Sequence, residues 1–326
     1  MIPSLSSFFP VNTFPLKIIA DRYLIESILI DDKLIPRHLQ LAPTNRCNLQ
    51  CSFCSCRSID RSEELTHRQL REIVEVARRL GVRGITLTGG GEPTLHPNIC
   101  DLIYDIAFTG MSIGIVSNGL NWVSIPRSVL QKVTWARTSF SDSRTFDKLF
   151  LQNMDHLLGA EIDMGFSYVL TKTPSIHNLA KIIDYANSAH FQYIRIVDDL
   201  MNMDSDVSNA RSLIRSLGID DRLVAYQDRH NVSRQGATEC YISLVKPFIY
   251  PDGWVYPCCA TNISIRGQEG TLPKQARMGP YTALPQLIER QQWFNGALCG
   301  RCDYWMYNEC LALIKECRTV KHKDFI

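Results

Sequence analysis

Cys47-Asn48-Leu49-Gln50-Cys51-Ser52-Phe53-Cys54 places three thiols within eight residues, directly after a strand-like run at 38–43. Thiolates spaced by four and then three residues can wrap three corners of a cubane [4Fe–4S] cluster. Such a cluster takes four ligands, so a local set of three leaves one iron open to a small molecule, as a catalytic site requires. A zinc knuckle wants two ligand pairs, usually with histidine. Inert packing would not gather thiols in a polar loop. Cys56 falls outside the spacing and reads as a spare thiol.

Outward from this loop, strand-like and helical runs alternate. Residues 66–80 carry Leu70, Ile73, Val74, Ala77 and Leu80 on one helical face, opened by a Thr66…Gln69 capping box and stopped at Gly81. Strands are expected at 84–88, 112–117, 135–140, 165–171 and 193–198. Helices are expected at 97–108, near Arg127, and at 143–158, 175–189 and 204–217. Six strand–helix units in a row predict a parallel α/β architecture; pattern alone leaves barrel and open sheet undecided. Upstream, residues 1–36 read as a proline- and phenylalanine-rich lead-in with one short apolar helix over 17–30. The alternation stops after Gly218, so a boundary is placed near 220, with a Cys-, Pro-, Gly-, Trp- and Tyr-rich remainder at 221–326.

A second motif, Thr88-Gly89-Gly90-Gly91-Glu92-Pro93, follows the second expected strand. Read plainly it is a tight turn, yet its glycines expose backbone and a carboxylate stands beside them. Together the two motifs resemble the radical S-adenosylmethionine (radical SAM) superfamily: a CxxxCxxC loop after the first strand, then a GGE turn after the second. The resemblance spans about residues 37–217 and implies a partial (β/α)6 TIM barrel. It implies that Cys47, Cys51 and Cys54 hold a [4Fe–4S] cluster and that Phe53 borders the adenine. It further implies that Gly90, Gly91 and Glu92 take the methionine amino group, and that Ser117, Asn118 and Ser139 face the S-adenosylmethionine. At Ser139-Phe140-Ser141-Asp142 the sequence departs from the Ser-Leu-Asp-Gly of many relatives. Val197 is a contact to adenine on this reading and an ordinary core valine on the other.

The chain has twelve cysteines, and the later ones fall at 240, 258, 259, 299, 302, 310 and 317. Two separated pairs would suit a zinc ribbon. The stretch Cys240-x12-Gly253-x4-Cys258 followed by Cys299-x2-Cys302 instead resembles the SPASM/twitch extension of radical SAM enzymes. That resemblance implies a hairpin turning at Pro251-Asp252-Gly253 and one auxiliary [4Fe–4S] cluster on Cys240, Cys258, Cys299 and Cys302. Cys310 and Cys317 do not keep the spacing of a two-cluster domain; Cys317 is expected on a helix as a buried residue.

Composition bounds the rest. A formal charge of +2, with 45% hydrophobic and 21% charged residues, describes a globular chain without an overall nucleic-acid footprint. No run approaches the roughly 20 apolar residues of a membrane span. No basic residue precedes the first apolar stretch, so a cytoplasmic location is expected. The resemblance implies a radical enzyme fed by a flavodoxin- or ferredoxin-type electron donor, acting on a peptide or small metabolite. The short stretch before the first strand leaves little room for a fused leader-binding domain. One alternative is rearrangement of an aminoacyl group on a nucleobase in DNA, with Arg211, Arg215, Arg222, Arg229 and Arg234 as a phosphate groove or simply a solvated face. Another is an iron–sulfur electron carrier or redox sensor.

Overall fold

Thr66 and Gln69 close the capping box reciprocally, and the helix His67–Arg79 buries Leu70, Ile73, Val74 and Ala77. Gly81 ends it in the left-handed region (φ 78°), where a side chain would be strained. This computed structural model describes residues 15–142, 144–171, 174–201, 207–230, 234–319 and 321. The proline-rich lead-in of residues 1–14 lies outside them.

All six expected strands form, as β1 (His38–Leu41), β2 (Gly84–Leu87), β3 (Ser112–Ser117), β4 (Trp135–Ser141), β5 (Asp163–Leu170) and β6 (Tyr193–Asp198). They pair in parallel in sequence order. The sheet continues past residue 220: β7 (Val224–Gln227) joins β6 in parallel, and β8 (Phe248–Ile249) joins the free side of β1. β8 turns through Gly253 (φ 76°) into antiparallel β9 (Trp254–Tyr256), the expected hairpin, and β10 (Gly279–Pro280) completes the edge. No pairing among the described residues joins β7 to β10, so the barrel is partial.

Side-chain alternation divides the sheet into two faces. Leu39, Leu41, Ile85, Leu87, Ile113, Ile115, Ala136, Phe140, Phe166, Tyr168, Ile194 and Ile196 are buried in the main core with the apolar faces of the helices. The opposite, inner face carries His38, Gln40, Thr86, Gly114, Arg137, Ser139, Gly165, Ser167 and Arg195, with Trp135, Val116, Val169, Tyr193 and Val197 among them. Under β4 to β6, Phe140, Phe150, Phe166 and Phe191 interlock, with Phe166 and Phe191 stacked at 4.3 Å. Each such contact contributes about 0.5–1.5 kcal/mol and gives the inner face a firm floor.

Three expectations need correction. The single helix over 17–30 is two, Leu16–Ile19 and Arg22–Asp31, because the Asp21 side chain caps the second by accepting from Leu24 N at 3.1 Å. The helix expected from residue 143 starts at Lys148 for the same reason, with Asp147 accepting from Phe150 N at 2.8 Å. Cys317 is exposed: it lies beyond the buried Asn308 and Leu311 of helix Trp305–Glu316, in the 3-10 turn that ends it. The helix expected from 204 is seen as Val207–Ser216, and residues 202–206 fall outside the described set.

Candidate active site

The loop after β1 holds Cys47, Cys51 and Cys54, all half-buried and free. Cys54 N donates to Cys51 O at 3.1 Å, and the backbone then turns so that Cys56 N faces the Cys54 sulfur at 3.4 Å. Burial raises the Cys47 and Cys51 thiols above their ordinary range; for Cys51 the neighbouring Cys54 and Cys47 add to it, so the three groups sense one another. Cys56, beside Cys54, is held differently. It is buried, its sulfur takes an N–H from Asn262 at 2.9 Å, and burial pushes its thiol up to about 12.

The glycine turn after β2 is pressed against this loop. Gly91 N donates to Thr44 O at 2.9 Å and Glu92 N to Arg46 O at 2.7 Å. A Cβ on Gly90 would stand 1.8 Å from Asn45 Oδ1, and one on Gly91 2.0 Å from Arg46 O. Close approach therefore demands these glycines; neither has a positive φ. Glu92 is turned inward, 2% exposed. Its Oε1 accepts from Thr94 N and Oγ1 at 3.1 and 2.7 Å, and its Oε2 from Asn118 N at 2.6 Å. Burial raises its carboxyl, while these donors and Ser117 pull the other way. The carboxylate thus braces the turn against the end of β3.

Ser117 is buried and accepts from Gly119 N at 3.0 Å. Asn118 reaches the cysteine loop by donating to Asn48 Oδ1 at 2.7 Å. Ser139 is half-buried on the inner face, in register with Ser167. Phe53 sits half-buried between the second and third cysteines, and Val197 is buried on β6. Two arginines that sequence reasoning missed tie these parts together. Arg144 donates to Ser139 O at 2.7 Å and to Asn118 O, and its charge favours the Cys51 thiolate. Arg61 donates to Gly90 O at 3.2 Å and Asn45 O at 3.3 Å and favours the thiolates of Cys47 and Cys51. Neither stands at a motif position; cations beside a thiolate set are the only signal that would have found them.

In the C-terminal part, Cys240, Cys258, Cys299 and Cys302 line one small pocket. Cys240 N bonds Phe294 O at 3.1 Å, Cys302 N bonds Arg234 O at 2.6 Å, and Gly236 N bonds Cys299 O at 2.9 Å. A Cβ on Gly236 would meet Gly296 O at 2.1 Å, so that glycine lets the two segments close. Burial pushes Cys240 up to about 12, Cys299 up to about 11, and Cys258 and Cys302 also upward. Buried Asn308, unforeseen from sequence, accepts from Ile242 N at 2.9 Å and turns its amide hydrogens toward the sulfurs of Cys240 and Cys302, each at 4.0 Å. The four thiols surround space rather than one point: among the described residues no three His, Cys, Asp or Glu side chains close on a single metal ion. Cys259 lies alongside, 3.2 Å from the Tyr304 hydroxyl. Cys310 and Cys100 are half-buried elsewhere.

The basic stretch does not assemble into an uncompensated groove. Arg215 pairs with Asp221, Arg222 with Asp220 and Arg229 with Asp303, while Arg211 and Arg234 lie over the rings of Tyr226 and Trp305. Among the described residues no helix is long and apolar enough to cross a membrane.

Comparison with known proteins agrees with this geometry. Residues 41–129 match the family model of the Radical SAM superfamily. The GTP 3′,8-cyclase of Staphylococcus epidermidis is 24% identical over 195 residues, 52% of this chain and 56% of its own length. The sporulation killing factor maturation protein SkfB of Bacillus subtilis is 37% identical over 92 residues, 28% of this chain and 22% of its own. The chain thus spans little more than half the length of these relatives, or less. Among solved structures, Streptococcus suis SuiB bound to its precursor peptide SuiA superposes with a TM-score of 0.60 at 15% identity, over 84% of this chain and 69% of that one. The structure of anSMEcpe with bound AdoMet and a Kp18Cys peptide gives 0.54 at 14%, over 87% and 99%. At such identities the likeness is one of fold. The cysteine loop, the glycine turn, the parallel sheet and the family match converge: residues 41–129 are a radical SAM domain, of the superfamily whose members bind a [4Fe–4S] cluster and S-adenosylmethionine.

Proposed function

We propose that this chain is a peptide-modifying radical SAM enzyme with one auxiliary [4Fe–4S] cluster in its C-terminal part, residues 221–326. The observation that carries the reading is the pair of cysteine sets: three half-buried thiols braced against a glycine turn, and four thiols lining one pocket. The donor sets fit. Three thiolates leave a cubane with an open corner, and four satisfy one completely. Cys47, Cys51 and Cys54 would hold the cluster, which when bound would supply the electron for reductive cleavage of S-adenosylmethionine and so for hydrogen abstraction from a substrate carbon. The chain's own residues orient the reactants and keep water out. Gly90, Gly91, Ser117, Asn118 and Ser139 form the rim that receives the methionine moiety and ribose, with Glu92 holding that rim in place and Phe53 against the adenine. Arg61 and Arg144 offset the negative charge that gathers on the cysteine loop. A peptide substrate is supported by the likeness to SuiB, anSMEcpe and SkfB, which their names associate with peptides or maturation. A flavodoxin- or ferredoxin-type protein would deliver the electron.

The test is iron counting together with product analysis. Anaerobically reconstituted protein should hold about eight irons and release 5′-deoxyadenosine with dithionite. The Cys47→Ala/Cys51→Ala/Cys54→Ala variant should keep about half the iron and release none. Cleavage persisting in that variant overturns the catalytic assignment; zinc in place of iron at the C-terminal site overturns the auxiliary one.

A further inference from the structure

We infer that the inner face of the sheet binds an oxyanionic group of the substrate, a carboxylate or a phosphate, between Arg137 of β4 and Arg195 of β6. The register puts both guanidiniums on that face: Arg137 is level with Gly165 and Tyr193, and Arg195 is level with Ser167 and Ser139. Between them the Tyr193 ring packs flat over Gly165, where a Cβ would come within 2.3 Å of it, so an aromatic wall separates the two guanidiniums from the sheet backbone. Lys246 converges on the same place. Its ammonium donates to the Tyr304 hydroxyl at 3.0 Å and feels the charges of Arg137 and Arg195.

What distinguishes this cluster is that its charges face one another. Arg195 donates to Ser167 Oγ at 3.0 Å, but its Nε is buried without a partner; so is Nε of Arg137, whose guanidinium lies over Trp135 at 5.6 Å. Neither forms an ion pair with a carboxylate among the described residues. Nearby, Arg229 and Arg301 each pair with Asp303. Burying like charges without a counter-ion is costly. A chain that supplies an aspartate to the outer arginines and none to the inner two leaves a place for an anion from elsewhere. The planar forks of two arginines match the bidentate geometry of carboxylate or phosphate. The position suits a substrate: Arg195 shares a row with Ser139, assigned to the S-adenosylmethionine rim, while Lys246 reaches through Tyr304 toward Cys259, beside the C-terminal cavity. That placement rests on the function proposed above; the binding of an anion does not.

The experiment follows thermal unfolding of the reconstituted protein under argon while inorganic phosphate or glutarate is titrated against sodium chloride at matched ionic strength. A saturable rise on the order of 2 °C is expected with at least one of the two oxyanions; the more effective one identifies the group as phosphoryl or carboxylate. The Arg137→Gln/Arg195→Gln variant should start at a higher Tm than the parent, because repulsion is relieved, and should lose the shift. Arg137→Lys keeps the charge but not the fork and should weaken the anion several-fold, which covers the case of a double variant that fails to fold. Three outcomes overturn the proposal: an equal shift with chloride, a shift retained in the double variant, or a lower starting Tm that marks the arginines as structural. Iron content and 5′-deoxyadenosine release, measured on the same samples, report separately on the function proposed above.

Discussion

Replacing Gly91 by alanine tests whether the cysteine loop and the glycine turn act as one unit. The added Cβ would lie 2.0 Å from Arg46 O and 2.5 Å from Asn45 C, both backbone atoms that no side-chain rotation can clear. Separating the segments by enough to admit it breaks two bonds, Gly91 N to Thr44 O at 2.9 Å and Glu92 N to Arg46 O at 2.7 Å. Each is worth about 1 kcal/mol net, and forcing a methyl into a packed site costs about 1–3 kcal/mol more. The expected loss is therefore about 3–5 kcal/mol, concentrated in these loops because parts of a fold can open without global unfolding. Amide exchange at Gly91 and Glu92 should accelerate by about a hundredfold or more, and S-adenosylmethionine binding to the reconstituted protein should weaken in step. Gly84→Ala is the control, since a Cβ there meets only Ser112 atoms at 3.5 and 3.8 Å. If Gly91→Ala exchanges and binds like Gly84→Ala, the close approach of the two loops is not what holds the site.

Three further predictions concern other groups. Asn308→Leu strands the buried Ile242 N–H, costing about 1–3 kcal/mol, and removes N–H groups facing Cys240 and Cys302. The midpoint potential of the proposed C-terminal cluster should become more negative, and an unchanged potential in voltammetry would count against its placement there. In protein without iron, iodoacetamide should modify exposed Cys317 early and Cys56, buried and pushed up to about 12, last; peptide mapping with the reverse order would contradict the packing. Burial holds the pKa of His96 below 6.5, where its ring contacts Leu65 O at 2.8 Å and accepts from Asn98 N at 3.1 Å. A base whose folded pKa is depressed contributes stability above its unfolded pKa and loses it as pH falls toward the folded one. The Tm should therefore drop as pH falls below about 6.5, less steeply in His96→Gln, and parallel profiles would refute the assignment.

The sheet was legible because its strands announce themselves twice, by apolar alternation and by the glycines, caps and prolines that end the helices between them. Thr66, Gln69 and Gly81 each did what their local chemistry dictates. β7 and β8 were not legible as members of the sheet. Val224–Gln227 and Phe248–Ile249 are too short to show a period, and their pairing with β6 and β1 is decided by tertiary contact. Local capping by Asp21 and Asp147 set two helix starts that hydrophobic periodicity placed too early. At the site, spacing found the cysteines and the glycine turn, but no spacing relates Arg61, Arg144 or Asn308 to the thiols they serve. Arg137 and Arg195 lie 58 positions apart in sequence; only the parallel register brings them to one face.

The two cysteine sets are joined by more than a shared chain. Cys258 faces the C-terminal cavity, and four residues later Asn262 donates to Cys56 Sγ at 2.9 Å and Ser55 Oγ at 3.2 Å in the catalytic loop. Gly270 N donates back to Asn262 O at 2.8 Å, and Gly270 O accepts from Ser58 N at 3.0 Å, so the segment roofs the loop from both sides. The turn Thr261–Ser264 between them is buried at every residue. Order imposed at Cys258 by the proposed auxiliary cluster would therefore pass through one buried turn to the loop that carries Cys47, Cys51 and Cys54. Cys56, outside the ligand spacing, has a place in this arrangement as the neutral sulfur that Asn262 grips. Cys56→Ala removes that grip without touching a ligand. It should loosen the catalytic loop while leaving the C-terminal thiols in place, and the converse, a disturbed C-terminal cavity with an intact loop, would break the chain of contact described here.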